Sequence, residues 1–567
     1  MRRFIFVVFL LVVILIVPVY QDMTTIPYDI VIYGGGFAGC AAAHSAAWAT
    51  SQKKVLLIVP ESGEELGGLG TVGGQNFADI RYWQKQLVTA GSFERWFQEL
   101  GQFYNTKQMS ETIKNELGNY PNITILYGYD IKKVSKKGKM IKNLNLVPVG
   151  RDEKGYITWL KGRERISGVV FIDASDDGRL TRFSNVSLSV GRQDWPSRYL
   201  PEEETNGKWA RQQAATLMFK VKGIKKPKEA GQIGDLNFVQ DVKGSWALVG
   251  GKETWQEDPV VNGFNKLYGS QGYAIKPINA AQDGAGSDQW WVNMLLVFNV
   301  DGRAHERDRN TKMFPEMRAG QKTVDQAWVD AKELLENPDF LRALRRFKVI
   351  DNNQMYGFGE VELVLDEKNK PKVGEIMYIR ETAHVKSDED IGEDIAAFDN
   401  EGKAKFALTT GEVKEAGANS LSGLDKENYL ERVGLGYYMM DINAYMYEDI
   451  IQNGHYVWPV TGYLRPDWKE TGGQQTNPVY LPYSMLKVDE VKNLLISGYA
   501  VSCSSFAWAE IRVLPNLSVL GDAAGVAAAR AVLFNEQPAE FNGEQIQWVQ
   551  GKLLEMGARL EKETLDD

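Results

Sequence analysis

Cysteine and histidine are the scarcest reactive residues in this sequence, and their scarcity removes whole classes of chemistry. Cys40 and Cys503 are the only cysteines among 567 residues, so there is no disulfide framework and no C-x-x-C dithiol site. The four histidines, His44, His305, His384 and His455, stand far apart. None shows the spacing of a metal-binding motif, and no metal centre is expected. Positive charge is also lacking. A net charge of −9 argues against nucleic acid as a partner, because phosphate binding needs concentrated lysine and arginine. There is no repeat array and no low-complexity tract. At this length roughly two to four structural units are expected, enough to bury a large ligand.

One long apolar run is present. Phe4–Val17 is uninterrupted, preceded by Arg2 and Arg3 and followed by Pro18, which reads as an export signal or an N-terminal anchor over residues 1–20. Extended to Tyr20, it reaches the short end of the roughly 17–25 residues that span a bilayer. No A-x-A-like cleavage site follows, so an uncleaved anchor in contact with the membrane is favoured over a removed signal. The basic flank places the N-terminus in the cytoplasm and the body of the protein on the opposite side.

Glycine, by contrast, is plentiful and clustered. In "YDIVIYGGGFAGCAAAHSAA", Tyr28–Ala47, a short β-branched strand at Ile30–Tyr33 leads into Gly34, Gly35, Gly36, Phe37, Ala38 and Gly39 and then an alanine-rich helix. Gly34, Gly36 and Gly39 fit G-x-G-x-x-G. The first glycine makes a tight turn, the second admits a pyrophosphate, and the third lets helix and strand pack closely. The helix N-terminus then offers free N–H groups and a positive dipole end to phosphate. Lys54–Val59 reads as the second parallel strand, and Glu61, just beyond it, is the candidate for the ribose hydroxyls. A second glycine cluster, Glu64–Gln75, brings backbone near the same ligand through Gly67, Gly68, Thr71 and Gly73. A buried strand near Gly168–Ile172 ends in "DASDDGRL", Asp173–Leu180, with Asp173, Ala174 and Asp177. Near the C-terminus, Gly521-Asp522-Ala523-Ala524-Gly525 and Val526 are expected to follow a strand and open a helix whose N-terminus faces the ligand.

Between these parts the texture changes. Phe93–Leu117 reads as one helical stretch, Gln289–Phe298 as a long strand, Val324–Leu335 as a helix, and Asn493–Ala500 as an apolar strand. The chain is expected to be α/β. A Rossmann-like domain over 27–193 is completed by 481–540, an α+β substrate-covering region over 194–480 is inserted into it, and a helix ends the chain at 541–567.

Taken together, these motifs resemble the FAD-dependent oxidoreductases with a glutathione-reductase-type FAD domain, and within them a broad bacterial FAD-dependent oxidoreductase group. The resemblance lies in "YDIVIYGGGFAGCAAA", "ELGGLGTVGG", "VVFIDASDDGRL", "YIRETAHV", "GYYMMDIN" and "LLISGYAVSCSSFAWAEIRVLPNLSVLGDAAGVAAA". It implies a three-layer FAD domain in which Gly34, Gly36 and Gly39 approach the FAD pyrophosphate. It also puts Asp173–Gly178 at the adenosine side and Asp522 at the ribityl chain or pyrophosphate.

The sequence departs from the group where substrate-facing groups are expected. Arg380-Glu381-Thr382-Ala383-His384 replaces the common R-E-T-R-R, Tyr499 replaces an arginine, and Asn443 replaces a histidine. Flavin carries the hydride or electron chemistry. His384 is the candidate base, and Arg380 and Arg512 are candidates to hold a carboxylate or face negative charge on reduced flavin; a buried ion pair is the competing role of both, for Arg380 with Glu381 or another acid. No second G-x-G-x-x-G exists to dock NADPH. Reoxidation by oxygen, a quinone or a partner protein is therefore expected, with a small molecule as substrate. Redox-neutral isomerase or lyase use of FAD, a structural flavin, and an NAD-linked dehydrogenase are the competing readings.

Overall fold

The computed structural model describes residues 24–562 except 62, 196, 206–209, 386–395, 399–403, 407–429, 440, 459, 461–463 and 465–477. The expected signal or anchor at residues 1–20 lies outside these. Ile30–Tyr33 (β1), buried along its whole length, pairs in parallel with Val55–Val59 (β2) and Val170–Asp173 (β4). Ile123–Tyr127 (β3) extends the sheet beyond β2, and Leu494–Ile496 (β5) closes it beyond β4, giving the parallel order β5-β4-β1-β2-β3. A parallel sheet covered on both faces needs apolar strands; β1, β2 and β5 meet that demand, and β4 does so up to its last residue, Asp173.

One face is covered by two helices, Phe37–Ala49 (α1) and Leu514–Phe534 (α4), both rich in alanine. Gly521 and Gly525 set their spacing, because a Cβ at either position would collide with the backbone of α1, at Ala38 and Ala42 respectively. Helix α4 is long and apolar enough to cross a bilayer, but 89% of that stretch is buried within the protein. Against the other face lies a second sheet of Tyr129–Lys137, Met140–Arg151 and Glu164–Ser167, whose Ile131, Leu144 and Leu146 share one core with β1 and β2.

A separate hydrophobic core belongs to an eight-stranded sheet that includes Ala215–Lys222, Trp246–Gly250, Ile278–Gln282 and Gln289–Val297. Helices Pro259–Gly269, Val324–Leu335 and Pro338–Leu344 pack on it. We call this unit the cap.

Three local expectations need correction. Phe93–Leu117 is two helices, Ser92–Leu100 (α2) and Thr106–Gly118 (α3), separated at Gly101, whose φ of +84° ends the first. The strand expected over Asn493–Ala500 is only the three residues of β5. Gly521-Asp522 does not open a helix after a strand. Helix α4 begins at Leu514, with Pro515 in its first turn where the missing N–H costs nothing, so Gly521, Asp522, Gly525 and Val526 lie inside it.

Candidate FAD site and the cap junction

The glycine turn between β1 and α1 builds one end of a cleft that opens to solvent. Each motif glycine has a distinct surrounding. Gly34 has φ +117°, and a Cβ there would come within 2.6 Å of Ala174 O. A Cβ on Gly39 would overlap the carbonyl oxygen of Gly34. A Cβ on Gly36 would meet nothing within 4 Å, since this residue caps α1 at the open floor of the cleft. No side chain caps α1, so its first N–H groups are free for an anion. A Cβ on Gly35 would press on Val59 at the end of β2.

The second glycine cluster folds back on the first. The Gly67 N–H donates to Gly35 O at 2.8 Å, and the two segments touch at Gly36 and Gly67. Thr71 is 1% exposed and donates to Leu66 O at 2.6 Å, which fixes the loop from within. Gly73 packs on Leu69 and on Gly374 of the cap side. Phe37 and Ala38 are buried, Phe37 edge-on to Trp96 with ring centroids 5.3 Å apart.

Glu61 lines the cleft, and its Oε2 is buried with no partner among the described residues. That unspent acceptor suits ribose hydroxyls. Burial pushes the Glu61 carboxyl up to about 7, and burial, aided by the charge of Glu61, also pushes the neighbouring Asp176 up to about 7. The folded protein without ligand thus favours protonated Glu61. This contribution to stability is full below the unfolded carboxyl value of about 4.3 and is lost as pH rises through about 7. Ribose hydroxyls donate to the ionised form, so FAD affinity is expected to rise with pH across about pH 5–7. Glu61→Gln removes a charge-assisted bond worth roughly 1.5–3 kcal/mol. It should weaken FAD about ten- to a hundredfold and flatten the pH slope, leaving the part due to Asp176; flavin fluorescence titrations at several pH values check this.

The Asp173–Leu180 segment divides its work. Asp173 is fully buried, and its two oxygens accept from Ser175 N and Oγ and from Thr181 N and Oγ1 at 2.6–3.1 Å. It clamps its own loop and has no capacity left for a ligand, which corrects its placement beside the adenosine. Ala174 and Asp177 do line the cleft. Although burial opposes it, Arg182 at 2.9 Å and His305 at 3.2 Å hold the Asp177 carboxyl well below the usual range. The cap supplies the opposite wall, with Arg307, Asp325, Trp328 and Met377 among its residues. Arg151 stacks on Trp328, its guanidinium carbon 4.1 Å from the ring centroid.

Asp522 lies away from this cleft. Buried at 1% exposure, it accepts from Ser92 N at 2.9 Å and Ser92 Oγ at 2.6 Å and ties α4 to α2. Val526, Gly521 and Gly525 likewise serve helix packing, which corrects all four as cofactor contacts. Asp522→Ala strands the buried Ser92 N–H, a cost of about 1–3 kcal/mol. Denaturant unfolding should show that loss while bound FAD per chain stays unchanged.

The three candidate catalytic residues are all buried. Arg512, directly before α4, donates to Asp441 Oδ2 at 2.6 Å and to Tyr378 Oη at 2.7 Å. Arg380 does not pair with Glu381. It donates to Ala214 O at 2.6 Å and Thr216 Oγ1 at 2.9 Å. His384 sits in the short strand Ala383–Val385, its ring tilted at 49° against Trp508, and its Nδ1 donates to Tyr499 O at 3.0 Å. Burial pushes this imidazole down to about 4, so it is neutral at pH 7 and a weak base. It does not line the cleft.

Sequence reasoning missed the residues that gather around Arg380 and Arg512. Asp79, Lys276, Tyr378 and Tyr438 come from four distant segments. Tyr378 and Tyr438 lie in the motifs "YIRETAHV" and "GYYMMDIN" without having been assigned a role, and Lys276 stood out as a lone charge in the apolar run "YAIKPI". The N-terminus of α4 reaches this junction beside the second glycine loop, since a Cβ on Gly70 would touch both Phe37 and Leu514.

A parallel sheet with a glycine-turn cleft, an open helix N-terminus and an unpaired buried carboxylate oxygen fits a dinucleotide-binding α/β protein. The chain belongs to the FAD dependent oxidoreductase family, which it matches over residues 29–553; it is an enzyme, and its cofactor is FAD. No curated protein matches it. Among solved structures it is similar to a geranylgeranyl bacteriochlorophyll reductase-like protein from Thermoplasma acidophilum, at 9% identity and a TM-score of 0.34, covering 95% of this chain and 85% of that one. It is also similar to a myxobacterial chondrochloren halogenase, at 12% identity and a TM-score of 0.28, covering 61% and 63%. A p-nitrophenol 4-monooxygenase from Pseudomonas putida matches at 11% identity and a TM-score of 0.24, covering 48% and 57%.

Proposed function

We propose that this enzyme transfers hydride or electrons between a small-molecule substrate at the cap junction and enzyme-bound flavin, which oxygen, a quinone or a partner protein then reoxidises. The observation that carries this reading is the convergence of Tyr378, Arg380, Asp441 and Arg512 beside the start of α4 and the second glycine loop. FAD, when bound, supplies the hydride and electron chemistry. Gly36 and the N-terminus of α1 hold its pyrophosphate, and Glu61 its ribose. The N–H groups at the start of α4, with no side-chain cap, offer a positive dipole end to negative charge. Arg512 is held rigid by Asp441 and Tyr378, so its charge is in place before a ligand arrives. The apolar N-terminal run holds the body of the enzyme outside the cytoplasm, close to a quinone pool.

The test is to express residues from Thr24 onward, quantify released FAD, and screen substrates anaerobically for bleaching of the flavin band. Bleaching by one substrate class, reversed by air or a soluble quinone, is expected. Turnover of a substrate with no electrons passed to any acceptor would sink the reading in favour of redox-neutral use.

A further inference from the structure

The junction gathers three buried cations, Lys276, Arg380 and Arg512, against two carboxylates, Asp79 and Asp441. The matching is uneven. Arg512 is neutralised by Asp441 at 2.6 Å. Among the described residues Asp79 accepts only a long bond from Tyr438 Oη, at 3.4 Å, and burial pushes its carboxyl up to about 6. Arg380 is 2% exposed and touches no carboxylate among the described residues. It spends three N–H donors on Ala214 O, Thr216 Oγ1 and Asn293 Oδ1. A guanidinium carries five such donors in a planar fork, so two are left over. Lys276 is 6% exposed, and its side chain makes no hydrogen bond or ion pair with any described residue. Its ammonium lies 5.8 Å from the centroid of the Trp458 ring.

Buried charges are normally paired, because an isolated one is costly to desolvate. With Arg512 matched by Asp441, Asp79 is the one carboxylate among the described residues left to Arg380 and Lys276, so the junction holds one cation more than its carboxylates, and burial beside Arg380 pushes the Lys276 ammonium down to about 7; an anionic ligand would supply the missing partner. The spare donors of Arg380 suit a planar, two-oxygen group, and the flexible Lys276 adds a point charge beside it. Another unspent donor lies close by. The indole Nε1 of Trp291 is buried with no hydrogen-bond partner among the described residues, two residues along the same strand from Asn293, to which Arg380 is bonded.

We propose that the substrate carries a carboxylate and that Arg380 and Lys276 bind it at the cap junction. This rests on the reading that the junction is the substrate site.

The experiment titrates the FAD-loaded enzyme with acetate, benzoate and succinate, with acetamide and benzamide as uncharged counterparts and inorganic phosphate as a third arm, following the visible flavin spectrum. A saturable spectral change with at least one carboxylate, and none with its amide or phosphate, is expected. Lys276→Met should weaken that binding at least tenfold with FAD content unchanged. It should also raise the melting temperature without ligand, since an unmatched buried charge is gone. No response to any carboxylate, equal responses to acid and amide, preference for phosphate, or unaltered binding in K276M would each overturn the proposal. So would a K276M enzyme whose flavin reduction potential shifts while carboxylate affinity does not, because the cations would then serve the reduced flavin. A protein that holds no FAD defeats the earlier reading instead. The clamp is then judged by thermal shift: stabilisation by benzoate that K276M abolishes supports it, and equal shifts in both proteins overturn it.

Discussion

Gly36→Val is expected to give a folded protein stripped of FAD. The backbone at Gly36 has φ −70°, open to any residue, and a Cβ there meets no atom within 4 Å. The added side chain instead fills the space through which the pyrophosphate must approach the α1 N-terminus. A loss of affinity of at least about a hundredfold, equivalent to about 2.7 kcal/mol, should result. Thermal unfolding of the cofactor-free protein should move little. Gly39→Val makes the opposite case, because its Cβ would overlap the carbonyl of Gly34 and force α1 off the sheet. That variant should lose fold and flavin together. Absorbance of released FAD per chain, measured beside unfolding of the same samples, separates the two. If G36V retained flavin at wild-type affinity, the glycine turn would not be the pyrophosphate site.

The largest effect on stability is expected at Arg179→Met. Arg179 is fully buried and joins the two halves of the molecule. Its Nε lies 2.8 Å from Asp130 Oδ1 in the FAD domain, and its Nη1 and Nη2 lie 2.5 and 3.0 Å from the two oxygens of Asp308 in the cap. Arg307 shares Asp130 from the cap side at 2.7 Å, and Tyr33 at the end of β1 donates to the same carboxylate at 2.6 Å. Methionine fills the volume but leaves Asp308 buried without its cation. Breaking a buried pair from one side typically costs about 3–5 kcal/mol. The exposed pair of Lys107 and Glu111 on α3 is the control, and Lys107→Ala should change stability by less than about 1 kcal/mol. Denaturant midpoints for both variants check the contrast. Because Arg307 also lines the cleft, R179M should lose FAD at lower denaturant than the wild type.

Much of the FAD domain was legible because its signals are local. A β-branched strand, a turn that only glycine can make and an alanine-rich helix follow one another within about twenty residues, so Ile30–Ala47 could be assigned element by element. The helix Val324–Leu335 was visible for the same reason, since its period lies within its own span. The errors fell where a local pattern had two physical meanings. Gly521-Asp522 has the composition of a helix start, yet it lies mid-helix, because glycine also serves wherever two helices must nearly touch. Asp173 has the composition of a ligand-facing acid, yet its own loop consumes both oxygens. Arg179, in the same motif, carried no sequence signal for its partner 129 residues away.

The sequence by itself determined that this protein is an α/β dinucleotide binder with a glycine turn between its first strand and helix and with Glu61 just beyond the second strand, both of which line the cleft, since backbone geometry and side-chain period act over a few residues. Only the tertiary structure decided that Asp522 braces α4, that His384 is a buried neutral imidazole and that Lys276 shares a junction with Arg380 and Arg512. Those outcomes depend on which distant segments are packed together and on how far burial raises the cost of charge, and neither quantity exists until the chain has folded.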